Sequence, residues 1–260
     1  MTHILLASLL AVSSLTGCAD PYGDAKKADT IEAYDAYLAT NPNPTGTSKM
    51  LADKRLQELL IARAEETKAI PDYDRVIKEF PRSVHIKDMK AGRSTRAFEA
   101  AEADGSGPAW EKFLAENDFA DGALKKRAKQ NIEVAKYRDQ LAISEPVVEQ
   151  VNLAEDPKGP KDGWGVSVDA TNNTTVTFDY FILELQYLDD AGKKIGTASY
   201  PLVSETGPQG MPIEERLTLP LKPGETRHWQ YTTGEPPTGW TQKVRVVPSS
   251  VRVKADAPPK

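Results

Sequence analysis

The chain has 260 residues, 39% of them apolar and 27% charged, and a formal net charge of −5. That balance excludes a wholly disordered chain, and at about 150 residues to a domain the length holds one or two domains. Net negative charge argues against a broad electrostatic footprint for nucleic acid. The single cysteine, Cys18, excludes an internal disulfide framework and a cysteine-based zinc site.

The apolar run from Ile4 to Leu15 is interrupted only by serine. It is too short for a membrane-spanning helix, which takes about 20 residues, and has the length of a signal-peptide core. It ends in Leu15-Thr16-Gly17-Cys18, and every Lys and Arg follows the cysteine. Small residues there admit a peptidase to the backbone, and a thiol can be alkylated. The segment resembles the lipobox of bacterial lipoproteins. That resemblance implies a signal peptide over residues 1–17, a diacylglyceryl group on Cys18 and a flexible linker over 18–28. The setting it implies is the bacterial cell membrane or outer membrane, with the protein lipid-anchored and exposed to the periplasm or the cell surface. Ala19 after the cysteine leans towards the outer membrane.

Residues 29–142 carry helical periodicity broken by proline and glycine. Asp29 or Thr30 can cap a helix with Ile31, Tyr34, Tyr37 and Leu38 on its apolar face, stopped at Asn41-Pro42-Asn43-Pro44. A longer helix follows from about Thr47. The plan recurs with Pro71 opening and Phe80-Pro81 closing a short helix, and again with Pro108 and Asn117. Setting Tyr34, Tyr73 and Trp110 in register, at spacings of 39 and 37 residues, aligns Tyr37 with Val76 and Phe113, and Leu38 with Ile77 and Leu114. Helical hairpins that cannot bury a face alone stack into solenoids. The unit resembles the tetratricopeptide-like repeats of exported bacterial proteins, which implies three stacked hairpins. The basic run Lys125-Lys126-Arg127 with Lys129 reads as a solvated helix face.

From Pro146 the period shortens to two. Strands are expected at Val147–Val151, 165–170, Phe178–Leu188, 195–203, 217–221, 226–232 and within 244–253, where Pro248 permits only an edge, a break or a bulge. On the longest, Phe181, Leu183, Leu185 and Tyr187 share one face. About seven strands in roughly 110 residues is the expectation for an immunoglobulin-like sandwich. The sequence Leu185-Gln186-Tyr187-Leu188-Asp189, then Gly192 to Gly196, then Pro223-Gly224-Glu225, resembles the bacterial FxLYD-type domain. The expected fold class is therefore α+β in separate domains: an all-α helical-hairpin solenoid over 29–142, then an all-β immunoglobulin-like sandwich over 146–254, then a disordered tail over 255–260. If loops alternate between the two ends of the sandwich, Met211, Pro212, Pro236, Pro237 and Trp240 gather at one end as a partner surface. The opposing reading folds Trp240 back over the core.

No catalytic constellation emerges. His85 and His228 fall far apart, and no HExxH motif, nucleophile elbow or phosphate loop occurs. No catalytic residue, cofactor or metal is expected. The expected partners are the membrane, through lipid on Cys18, and other envelope proteins, but not nucleic acid. The function expected is that of a lipid-anchored, non-catalytic protein-binding or scaffold module. A glycan- or cell-wall-binding lipoprotein is the alternative, with Trp164, Trp229 or Trp240 exposed and coplanar. An envelope enzyme would need a pocket that gathers several carboxylates.

Overall fold

The computed structural model describes residues 20–40, 46–154, 161–207 and 213–255. The signal segment, the lipobox with Cys18, and Met211 lie outside the described residues. Eight helices and two antiparallel sheets form among those described. The helices are α1 (Pro21–Ala28), α2 (Ile31–Thr40), α3 (Thr47–Thr67), α4 (Ile70–Glu79), α5 (Ile86–Asp104), α6 (Gly107–Glu116), α7 (Gly122–Ala135) and α8 (Glu215–Thr218). The strands are β1 (Leu141–Ile143), β2 (Val147–Val151), β3 (Gly163–Asn172), β4 (Phe178–Leu188), β5 (Lys194–Val203), β6 (Thr226–Thr233) and β7 (Lys243–Val253). The described residues group into two compact units that divide between Arg96 and Ala97.

The first unit is helical. The stretch expected as a flexible linker over 18–28 instead contains α1. The Asp20 carboxylate accepts from the Gly23 N–H at 3.0 Å, and Pro21 opens the helix, where its missing N–H costs nothing. Tyr22 packs on Tyr37 at 5.7 Å between ring centroids, and Ala25 is buried. Thr30 Oγ1 accepts from the Ala33 N–H at the start of α2. Tyr34, Tyr37, Ala52, Leu56, Leu60, Tyr73, Val76 and Met89 make one core. Gly92 on α5 leaves room for the Tyr73 ring, because a Cβ there would fall 2.7 Å from Tyr73 Cε1.

In the second unit, the last turns of α5 join α6 and α7 around Phe98, Trp110, Phe113 and Ala128. Phe98 sits 4.9 Å from Trp110 and edge-on to Phe113 at 5.5 Å. Gly105, at φ +73°, supplies the left-handed residue after α5, its N–H donating to the Ala101 carbonyl. Ser106 and Asp121 cap α6 and α7 through side-chain oxygens. In one sheet β3 pairs with β1 and β2 along one edge and with β6 along the other. The other sheet has the order β5-β4-β7, with Leu185 opposite Ala198 and Val246. Pro248 sits on edge strand β7 where the register shifts, as its missing donor requires.

The expected fold class is corrected here. The α and β parts are not separate domains. Val134 of α7 is wholly buried in the same core as Val166, Val168, Trp229, Phe181, Leu183 and Leu185 of the sheets, and the third helical hairpin belongs to the compact unit that contains both sheets. The boundary between units falls inside α5 rather than at 142–146. The three short–long helix pairs are therefore divided between units instead of forming one solenoid, and the result is a mixed α/β arrangement rather than a free-standing immunoglobulin-like sandwich. A further difference lies at 217–221, expected as a strand. The chain turns through α8 there and only Leu221 bridges to Phe178. Leu217 and Leu221 are buried while Leu219 is exposed, so the apolar alternation marks two anchor points without a ladder.

Candidate functional site

Strand β4 alternates as its sequence requires, and its odd-numbered face (Phe181, Leu183, Leu185, Tyr187) enters the core. The even-numbered face bears Tyr180, Ile182, Glu184 and Gln186. The alternation leaves that polar face to solvent, yet Glu184 and Gln186 are buried. The last turns of α5 with α6 and α7 stand over it. Between these helices and the face of β4, β5 and β7 lies an open cleft of about 690 Å³, within the range of about 300–1,000 Å³ usual for ligand pockets.

Three carboxylates line the cleft, from Glu99, Glu102 and Glu184, together with four cations, from Arg127, Arg138, Lys194 and Arg245. Arg127 Nη2 lies 3.5 Å from Glu102 Oε1 and 3.5 Å from Glu184 Oε2, and its guanidinium sits 5.0 Å over the Phe98 ring. Lys194 Nζ pairs with Glu102 Oε2. Glu184, with 10% of its side chain exposed, accepts from Gln186 Nε2 at 3.0 Å. Its contact with Arg127 is too long for a strong charge-assisted bond, which runs at about 2.7–2.9 Å. The carboxylate thus has accepting capacity left over.

Trp110 lines the same cleft and is 1% exposed. Its Nε1–H is buried with no hydrogen-bond partner among the described residues. Such a donor costs about 1–3 kcal/mol, and a native fold that retains one calls for an explanation. The remaining polar wall comes from Gln130, Asn131, Gln186, Ser199, Ser249 and Ser250.

Of the residues singled out from sequence, Leu15, Thr16, Gly17, Cys18 and Met211 lie outside the described residues. Pro236 and Pro237 are half-buried, and Gly196 admits Pro237, since a Cβ there would fall 2.6 Å from its Cγ. Trp240 stands edge-on to Tyr187 at 5.5 Å and to Trp164 at 5.3 Å, with its Nε1–H donating to the Lys243 carbonyl at 2.9 Å. Trp229 is buried and donates to the Tyr200 carbonyl. Trp164, Trp229 and Trp240 therefore do not make an exposed coplanar platform. His228 Nδ1 lies 2.9 Å from Asp169 Oδ1 at an exposed position. Asn172 organises its turn, donating to the Val176 and Leu221 carbonyls and accepting from Thr174. Of the basic run on α7, Arg127 faces the cleft rather than open solvent.

No protein-family model matches the chain, and no curated protein matches it. Among solved structures, an alkylpurine DNA glycosylase, AlkC of Pseudomonas fluorescens, bound to DNA containing an abasic site analog, is similar over 86% of this chain at 10% identity, with a TM-score of 0.26. The chain spans about half of that protein, 51%. The exclusion of nucleic acid read from net charge is withdrawn on physical grounds. Whole-chain charge does not describe a local surface: Lys125, Lys126 and Lys129 lie along one groove of α7. A likeness this slight assigns no ligand to this chain.

Proposed function

We propose that the chain is a lipid-anchored protein of the bacterial cell envelope, held by a diacylglyceryl group on Cys18 and acting as a non-catalytic binding or scaffold module. The observation that carries this reading is the twelve-residue apolar run ending in Leu15-Thr16-Gly17-Cys18. Among the described residues no helix is long and apolar enough to cross a membrane. Acyl chains contribute about 0.8 kcal/mol per buried CH₂, and two or more give a stable anchor. Helix α1 starts at Pro21, so the anchor would join the first helix through two residues. Three carboxylates do gather in the cleft, as an enzyme would need. The Glu102 carboxylate, however, is paired with both Arg127 and Lys194, and Glu184 lies beside Arg127 and Gln186, so neither stands apart as a poised general acid or base.

Expression in bacteria fed radiolabelled palmitate tests the anchor. The wild-type chain is expected to carry label and sediment with membranes, while Cys18→Ala loses both. Label or membrane retention in Cys18→Ala overturns the reading.

A further inference from the structure

We propose that the first unit seats on an anionic lipid bilayer through one face, built from α1 and the first turns of α3. The proposal rests on the anchor at Cys18 and adds which side of the protein meets the membrane.

Covalent reach sets the distance. A residue spans at most about 3.6 Å, so Tyr22, four positions on, lies within about 14 Å of the acylated cysteine. The side of the first unit that α1 borders is therefore held at the headgroups. A shallow groove on that side is lined by Tyr22 and Lys26 of α1 together with Leu51 and Lys54 of α3. Met50 stands one turn before Lys54 on the exposed side of α3, while Ala52 and Leu56 turn into the core. Met50 is 64% exposed and Leu51 42%. The other large apolar side chain exposed among the described residues of this unit is Val84, so two of the three are neighbours. Single exposed apolar residues are ordinary. A pair flanked by cations, a few residues from an acyl chain, is the composition of a membrane-interface patch.

Charge selects the occupant. Arg55 already pairs with Asp29 and Glu58, the two acids that line the groove. Lys26 and Lys54 have no carboxylate partner among the described residues, and Asp24 falls about 160° round α1 from Lys26. The face thus presents two uncommitted ammonium groups beside an apolar pair, which complements anionic headgroups above acyl chains. A second copy of the chain would set the same lysines against their like.

The test uses the full lipidated chain on vesicles. The anchor consumes the sole native thiol, so Leu51→Cys and Val84→Cys each offer one site for an environment-sensitive fluorophore. On phosphatidylglycerol vesicles with nitroxide-labelled headgroups, the dye at 51 is expected to be quenched and the dye at 84 to stay bright. Lys26→Gln and Lys54→Gln are each expected to lower the ratio of seated to unseated protein about fivefold there, and to change nothing on phosphatidylcholine. All four positions are exposed, so the substitutions leave the core intact. Vesicle-bound protein with no quenching at 51, equal quenching at 84, unchanged seating in both lysine variants, or a dye at 51 shielded without vesicles each overturns the seating while the anchor stands. A wild-type chain that takes the dye at Cys18 and does not float with vesicles overturns the anchor, and the seating with it.

Discussion

The two faces of β4 share one backbone and are both largely buried, yet they are buried for different ends. On the odd-numbered face Phe181, Leu183, Leu185 and Tyr187 fill a core, and removing their surface from water is itself the stabilisation. On the even-numbered face Glu184 and Gln186 lie beneath helices with polar groups only partly matched. Burial there does little to hold the strand and keeps strong hydrogen-bonding groups in place at a cleft. Low exposure alone therefore does not distinguish a core from a site. What distinguishes them is whether each polar atom is satisfied.

The sharpest break of this comparison is Leu183→Ala. Leu183 is wholly buried, so its truncation is expected to cost about 2–5 kcal/mol, read as a fall in the urea midpoint at unchanged slope. A loss under about 1 kcal/mol would mean that the odd face is not the structural one.

Next comes Glu225, the partner of Arg227, whose buried guanidinium is well matched in the same unit. Arg227, 9% exposed, donates to the Leu219, Leu202 and Pro220 carbonyls and to Glu225. Burial alone would raise the Glu225 carboxyl, but the Lys222 N–H and the Arg227 guanidinium outweigh it and hold the group below its ordinary range. Its folded value lies below its unfolded value of about 4.3, so its stabilisation is full above that pH and is lost as pH falls through the folded value. Glu225→Gln is expected to lose about 1 kcal/mol at pH 7, after screening of its exposed third, and to flatten the decline below pH 4. Equal slopes in the two proteins would show the carboxylate is idle.

How far the sequence carried can be judged from these same residues. The helix pairs were legible because proline, caps and in-register aromatics act locally. Tyr34, Tyr73 and Trp110 are all buried as their spacing implies. The strands around β3, β4 and β7 were legible from period-two patterning and turns. Helix α1 carries a start signal in Asp20-Pro21, but it is short and polar overall, a pattern it shares with a linker. The unit boundary was not legible: α5 is continuous, and only tertiary packing assigns its last turns to Phe98 and Trp110. The cleft was the least legible feature. Glu102 and Lys194 are 92 positions apart, and Glu184-Leu185-Gln186 looks like any strand with a wet face until helices cover it. The signals available were two buried-strand polar residues beside a helix whose basic run had one member, Arg127, turned inward.

A smaller effect sharpens the even face. Glu184→Leu removes one partner of Arg127, and losing one partner of a fully buried pair costs about 3–5 kcal/mol. Arg127, however, keeps Glu102 and has 44% of its side chain exposed, so no lone buried charge remains. Stability is expected to stay within about 1 kcal/mol of wild type. A loss like that of Leu183→Ala would make the even face as structural as the odd one.

The smallest effect belongs to the exposed limit of the series, Asp29 in the first unit. Arg55 donates to both of its oxygens, at 2.9 and 2.7 Å, and those hydrogen bonds hold the carboxyl below its ordinary range despite some opposing desolvation. Both side chains are more than 40% exposed, so water and salt compete for the same groups. The sign follows as for Glu225: the contribution is present above the unfolded value of about 3.9 and disappears as pH falls through the lower folded one. Asp29→Asn is expected to lower the thermal midpoint slightly at low ionic strength and neutral pH. That difference should vanish in high salt and below the folded value. A penalty that survived high salt would mean that the hydrogen bonds Asp29 accepts from Arg55 and Tyr34, rather than its net charge, are what the position supplies, because asparagine keeps the left-handed backbone there, φ 49°, nearly as well as aspartate.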